Sequence, residues 1–118
     1  MNDEKKTGFQ QRLQALHDKY HKQLPEKLAE IHRSWDAWQA DPENPERLEE
    51  FYRLIHTLKG TAATFGFNTQ SGCCFEIQQV LLRIKEKTIT LTEEDINTIQ
   101  QHLDELEQNI SHPTDSEL

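Results

Sequence analysis

Over residues 47–67 the apolar side chains Leu48, Phe51, Ile55, Leu58, Ala62 and Phe65 follow one another at steps of three and four. At about 100° per residue this spacing lays a single apolar stripe along one side of a helix. His56 and Gly60 then fall roughly opposite the stripe, and Lys59 on the flank of that outer side. A histidine is thus held out in water in the middle of a helix, with a glycine four residues on. Glycine in a helix interior costs about 1 kcal/mol relative to alanine, and Gly60 is too far from either end to act as a cap. A helix that accepts this loss on its water-facing side leaves room there for something to come close.

The remainder of the chain repeats the helical pattern. Phe9, Leu13, Leu16 and Tyr20 form a first stripe, and Leu28, Ile31, Trp35 and Trp38 form another beyond Pro25. Proline suits the first turn of a helix and disrupts an interior, so two consecutive helices, or one marked kink, are expected near residues 23–25. Asp41-Pro42-Glu43-Asn44-Pro45 is the clearest loop, with Asn44 as helix cap and Pro45 at the first helical position. Gly66-Phe67-Asn68 supplies a helix end and a new cap. The next helix buries Cys73 or Cys74, Ile77, Val80 or Leu81, and Ile84, and ends in basic residues suited to the negative end of its dipole. Residues 88–91 form a β-like stretch too short to found a sheet. Thr92-Glu93-Glu94-Asp95 reads as a capped, acidic first turn, followed by Ile96, Ile99, Leu103, Leu106 and Ile110.

Helices with one apolar stripe each, joined by short loops, settle most simply as an all-α, antiparallel up-down four-helix bundle. Its helices start near Pro25, Asn44, Asn68 and Thr92, with an additional N-terminal helix covering one end or side. One domain over residues 8–110 is expected, with 1–7 and 111–118 as flexible termini or linker. The 118 residues suit one modest core. With 34% hydrophobic residues and no apolar run of membrane-spanning length, no membrane segment is expected. The amino terminus lacks an apolar signal stretch, which makes a cytoplasmic location the expectation. A net charge of −8 argues against nucleic acid, whose phosphates need clustered Lys and Arg. Cys73 and Cys74 are adjacent and point about 100° apart on a helix, so they read as free, small apolar side chains in a reducing compartment.

His56-Thr57-Leu58-Lys59-Gly60, followed by small residues and Phe65-Gly66, resembles the signature of the histidine phosphotransfer (HPt) domains of multistep phosphorelays. The match rests on His56, Lys59, Gly60, Ala63 and Gly66. On the exposed side of an amphipathic helix in an all-helical chain, this short pattern becomes specific. The resemblance implies that His56 is phosphorylated and that Lys59 and Gly60 support it. It also makes Gln78 similar to a glutamine that some family members place beside the histidine. The implied partners are receiver domains of response regulators and hybrid histidine kinases, whose aspartate and Mg²⁺ perform the transfer. The domain itself would be a monomeric carrier rather than an enzyme.

The chemistry of the residues agrees. A neutral imidazole nitrogen is a good phosphoryl acceptor, and Lys59 offers positive charge to phosphoryl oxygens. Gly60, with Ala63 and Thr64 beyond, removes bulk where a partner would press in. No phosphate-binding loop is present, since Gly60 and Gly66 have the wrong spacing and no Gly-Lys-Ser/Thr follows. No cofactor is expected, and no ATP binding or self-phosphorylation. His17 and His21, separated by one helical turn, could in principle bind zinc, but no third ligand is evident and they read as polar-face residues. His32, His102 and His112 read as solvated, and Trp35 and Trp38 as core. The competing reading is a non-catalytic helical adaptor with an HPt-like fold, binding receiver or kinase domains without phosphorylation. The intact His56 speaks against it.

Overall fold

A computed structural model describes residues 3–111; Met1, Asn2 and residues 112–118, which include His112 and much of the expected flexible termini, lie outside it. The described residues form four helices: α1 (Asp3–Ala40), α2 (Pro45–Thr64), α3 (Asn68–Lys87) and α4 (Glu93–Ser111). They assemble as the expected antiparallel bundle. α2 packs between α1 and α3, α3 packs on α4, and a lighter contact between α1 and α4 closes the ring. Residues 88–92 form a loop, and no strand occurs among the described residues.

The additional N-terminal helix is not separate. It is the first part of α1, which runs unbroken through Pro25. Tyr20, Leu24, Leu28, Ile31, Trp35 and Trp38 stay in step across the proline, and all are buried. Pro25 sits on the exposed side, and the carbonyl deprived of its N–H partner belongs to His21, itself exposed. Water can therefore satisfy that carbonyl. Burying a side chain as large as a tryptophan contributes roughly 2–3 kcal/mol, so this stripe outweighs a proline penalty of about 3 kcal/mol. At 38 residues α1 is much longer than its neighbours, and its axis sets the 59 Å length of the molecule. Phe9 and Leu16, on the early part of α1, remain exposed.

Each end of α2 is fixed by local chemistry. Asn44 accepts a hydrogen bond from the Glu46 N–H at 2.9 Å, and Pro45 occupies the first turn. At the other end Phe67 N–H bonds to the Ala62 carbonyl at 2.9 Å and Gly66 N–H to that of Ala63 at 3.2 Å. This double closure needs a left-handed residue, and Gly66 supplies it with φ 79°. The turn swings Phe65 and Phe67 inward, where both rings meet Tyr20 of α1. Phe67 therefore takes the cap position of α3 with no side-chain bond, and Asn68, expected as the cap, is the first helical residue instead. Tyr20 also donates its hydroxyl to Gln70 Oε1 at 3.0 Å inside the same cluster, and burial pushes its phenol well above the usual range.

Both cysteines of α3 are buried and unbridged. Burial raises the Cys73 thiol to about 11 and the Cys74 thiol to about 12, so neither is a ready nucleophile. α4 opens with the reciprocal bonds of a capping box. Asp95 N–H donates to Thr92 Oγ1 at 3.1 Å, and Thr92 N–H donates to Asp95 Oδ2 at 3.2 Å. Arg83 of α3 closes on the same carboxylate, which ties α3 to α4.

Candidate functional site

The buried side of α2 is the stripe Phe51, Ile55, Leu58 and Ala62. His56 lies on the opposite side, exposed, near the middle of the helix. Its surroundings come from two helices. Gln78 of α3, almost wholly buried, places Oε1 3.1 Å from His56 Nδ1. An amide oxygen can only accept, so in this contact Nδ1–H is the donor, and in the neutral ring that tautomer leaves the lone pair on Nε2. From the other direction the Tyr52 ring lies parallel to the imidazole, at 10° with centroids 5.7 Å apart.

Gly60 is exposed, and a Cβ built on it would meet nothing within 4 Å. Close packing of another helix therefore does not account for this glycine. Ala63 and Thr64 are exposed beyond it, and the Thr64 hydroxyl turns back to the Gly60 carbonyl at 2.9 Å. The outer surface of this stretch is consequently low and sparsely polar. Lys59 is half-buried and leans its ammonium over Phe75 of α3, 5.8 Å from the ring centroid. Phe75 is 45% exposed, an apolar ring standing at the edge of the same surface. His56, Gln78, Lys59, Gly60, Ala63 and Thr64 thus share one side of the α2–α3 pair.

Tyr52 and Phe75 stand outside the sequence reading of the site, and Lys85 enters that reading only as one of the basic residues at the end of its helix. Tyr52 had one signal, an aromatic residue four positions before the histidine and hence on its face. Phe75 and Lys85 had none, because their place depends on how α3 packs on α2.

The other histidines are more engaged than a solvated reading implies. His17 stacks on Phe67 at 5.1 Å and 18° and meets Phe65 edge-on, so it belongs to the aromatic cluster at the α2–α3 turn rather than to a polar face. His21 is exposed and tilted against Phe67 at 6.2 Å. His32 approaches Glu107 at 3.5 Å and His102 approaches Glu105 at 3.1 Å. Among the described residues no group of three or more His, Cys, Asp or Glu is placed to hold a metal ion. No helix among them is long and apolar enough to cross a membrane. Trp35 and Trp38 are core, and Trp35 donates its indole N–H to Gln100 Oε1 at 2.9 Å.

Four antiparallel helices with a histidine exposed near the middle of one define the class: a helical bundle that carries an outward-facing histidine. The family model described as Hpt domain matches residues 12–109, and the chain belongs to that family. It is similar to the chemotaxis protein CheA of Listeria monocytogenes, with 26% identity over 98 residues, covering 80% of this chain and 16% of that protein. CheA of Halobacterium salinarum is 28% identical over 69 residues, covering 58% of this chain and 10% of that one. The chain spans about a sixth or less of the length of these relatives. Among solved structures, the CheA phosphotransferase domain from Thermotoga maritima superposes with a TM-score of 0.71 at 23% identity, covering 80% of this chain and 90% of that one. That likeness speaks for the fold. Family membership supports a role in phosphotransfer.

Proposed function

We propose that this domain is a phosphorelay intermediate that accepts a phosphoryl group on His56 Nε2 and exchanges it with the aspartate of receiver domains. The observation that carries this reading is the Gln78 Oε1 contact at 3.1 Å to Nδ1 of an exposed histidine. It leaves the outer nitrogen nucleophilic and unobstructed. In the forward step the Nε2 lone pair attacks phosphorus, the bond from phosphorus to the aspartyl oxygen breaks, and the electron pair leaves with the carboxylate. The imidazole ring then carries a positive charge. Gln78 Oε1, still accepting from Nδ1–H, stabilises that charge. Reversal returns the group to a second aspartate.

Lys59 supplies positive charge near the phosphoryl oxygens once a partner is seated, and Gly60, Ala63 and Thr64 form the low surface on which it seats. Response regulators and hybrid histidine kinases provide such partners. The acting unit spans residues 8–110 and works as a cytoplasmic monomer, with no ATP-binding or autokinase function of its own.

Incubation with a panel of phosphorylated receiver domains tests the reading. Label is expected on His56 alone, acid-labile and alkali-stable as a phosphoramidate should be. Transfer that survives His56→Gln would place the chemistry elsewhere. Stable receiver binding without any labelling would favour the adaptor.

A further inference from the structure

The Nδ1 bond to Gln78 fixes one atom of an exposed imidazole. It does not fix the plane of the ring, which can still tilt about that atom and swing Nε2 away from an incoming phosphorus. A second restraint is present one turn earlier on α2. Tyr52 lies parallel to His56, at 10° and 5.7 Å between centroids, an offset stack that limits this tilt.

Tyr52 is itself only half-buried and needs a hold of its own. Lys85 of α3 provides one. Its Nζ sits 4.3 Å from the Tyr52 ring centroid, and the same ammonium pairs with Glu49 Oε1 at 2.8 Å. Glu49 is almost one turn before Tyr52 and His56 one turn after it, so the tyrosine lies along α2 between the ion pair and the imidazole. Gln78 and Lys85 are seven residues apart, two turns along the same side of α3. One face of α3 therefore holds the imidazole twice, directly through Gln78 and indirectly through Tyr52.

We propose that Tyr52 and Lys85 are positioning residues for His56, with the Lys85–Tyr52 contact holding the aromatic plate against which the imidazole is aligned. This rests on His56 being the phosphoryl acceptor. Neither residue touches the phosphoryl group. Their effect is to keep Nε2 pointing outward with its lone pair along the direction of attack.

The test compares the parent domain with Tyr52→Leu, Tyr52→Phe and Lys85→Met. Leucine keeps apolar volume while removing the flat ring, and phenylalanine keeps the ring while removing the hydroxyl. His56 ring signals are followed by proton–nitrogen NMR. Phosphorylation is followed with potassium phosphoramidate, whose P–N bond breaks to release ammonia as the imidazole takes the phosphoryl group. In Tyr52→Leu the ring-current shift of the His56 carbon-bound protons is expected to vanish. The Nδ1–H tautomer should lose population, and phosphorylation at Nε2 should slow about tenfold. Tyr52→Phe should stay within about twofold of the parent in rate and keep the ring-current shift. Lys85→Met, a change at a part-exposed side chain, should slow the reaction about threefold and carries the test if Tyr52→Leu proves poorly folded.

Unchanged His56 signals and rate in a folded Tyr52→Leu would overturn the proposal, as would a Tyr52→Phe as slow as Tyr52→Leu. A parent domain that phosphoramidate does not label at His56 would count instead against the phosphoacceptor reading, while the ring signals would still decide the stack.

Discussion

Gln78 Oε1 and His56 Nδ1 meet at 3.1 Å, so a nearly buried amide on α3 sets the tautomer of an exposed ring on α2. Replacing Gln78 with Leu keeps much of the volume and removes the acceptor. Phosphorylation of His56 is expected to slow about tenfold, because the ring loses the partner that stabilises its developing charge. Gln78→Glu preserves an acceptor and should retain most of the rate. Equal rates for Gln78→Leu and the parent, measured with one phosphorylated receiver, would remove Gln78 from the site.

Gly60 separates two explanations by sign. Because a Cβ there meets open space, Gly60→Ala should fold normally and gain up to about 1 kcal/mol, alanine being the better helix former. Gly60→Gln should also fold, yet obstruct the receiver and slow transfer markedly. Thermal melts read the first effect and transfer kinetics the second. A destabilised Gly60→Ala, or a Gly60→Gln that transfers at the parent rate, would defeat the docking role.

Asp95 makes stability depend on pH at the acid end. Burial by itself would raise its carboxyl, but the bonds from Thr92 and the Arg83 guanidinium hold it below the ordinary value of 3.8. A carboxyl lowered in the folded state releases its proton more readily there than in the unfolded chain. Its contribution is therefore present above the ordinary carboxylate range and is lost as pH falls through the lowered folded value. Asp95→Asn should cost about 1–3 kcal/mol at neutral pH, and the gap from the parent should close in strong acid. Urea melts at both ends of the range check this.

Thr88 ends α3 with φ 52°, a left-handed conformation that a β-branched residue adopts only under strain. Thr88→Gly should relieve it and stabilise the domain by about 1 kcal/mol, part of the gain being offset by the greater freedom of glycine in the unfolded chain. No change in phosphotransfer is expected, since the substitution leaves Lys85, three residues earlier, in contact with Tyr52 and Glu49.

Most of the architecture could be read from spacing. The stripe at Phe51, Ile55, Leu58 and Ala62 located both the buried side of α2 and the outward placement of His56. Asn44-Pro45 and Thr92–Asp95 announced two helix starts through side-chain chemistry that acts within a few residues. The misreadings arose where distant packing decided the outcome. Pro25 argued for a break or a marked kink, but a continuous row of buried residues on the other side of α1 carried one helix through it. Asn68 argued for a cap, yet Phe67 is drawn into the interior by Tyr20 and takes that place. His17 looked polar and lies flat on an aromatic ring. Around His56, the motif marked residues on its own helix and, by resemblance, Gln78. The grip of Lys85 on Tyr52 and the position of Phe75 depend on the rotation of α3 against α2, which no local pattern encodes.

On α2, the side chains that secure the interior and those that face outward do not overlap. Ile55, Leu58 and Ala62 are sealed in the core, while Arg53, Thr57, Gly60, Ala63 and Thr64 contribute little to it. An exchange at Arg53, Thr57, Ala63 or Thr64 would leave the melting behaviour nearly untouched, and one at Gly60 would move it only through helix propensity, while each reshapes what the histidine can be pressed against. On the proposed function, such a helix insulates the choice among rival receivers from the requirement to fold. Crosstalk in a cell holding many look-alike domains could then be tuned one outward residue at a time.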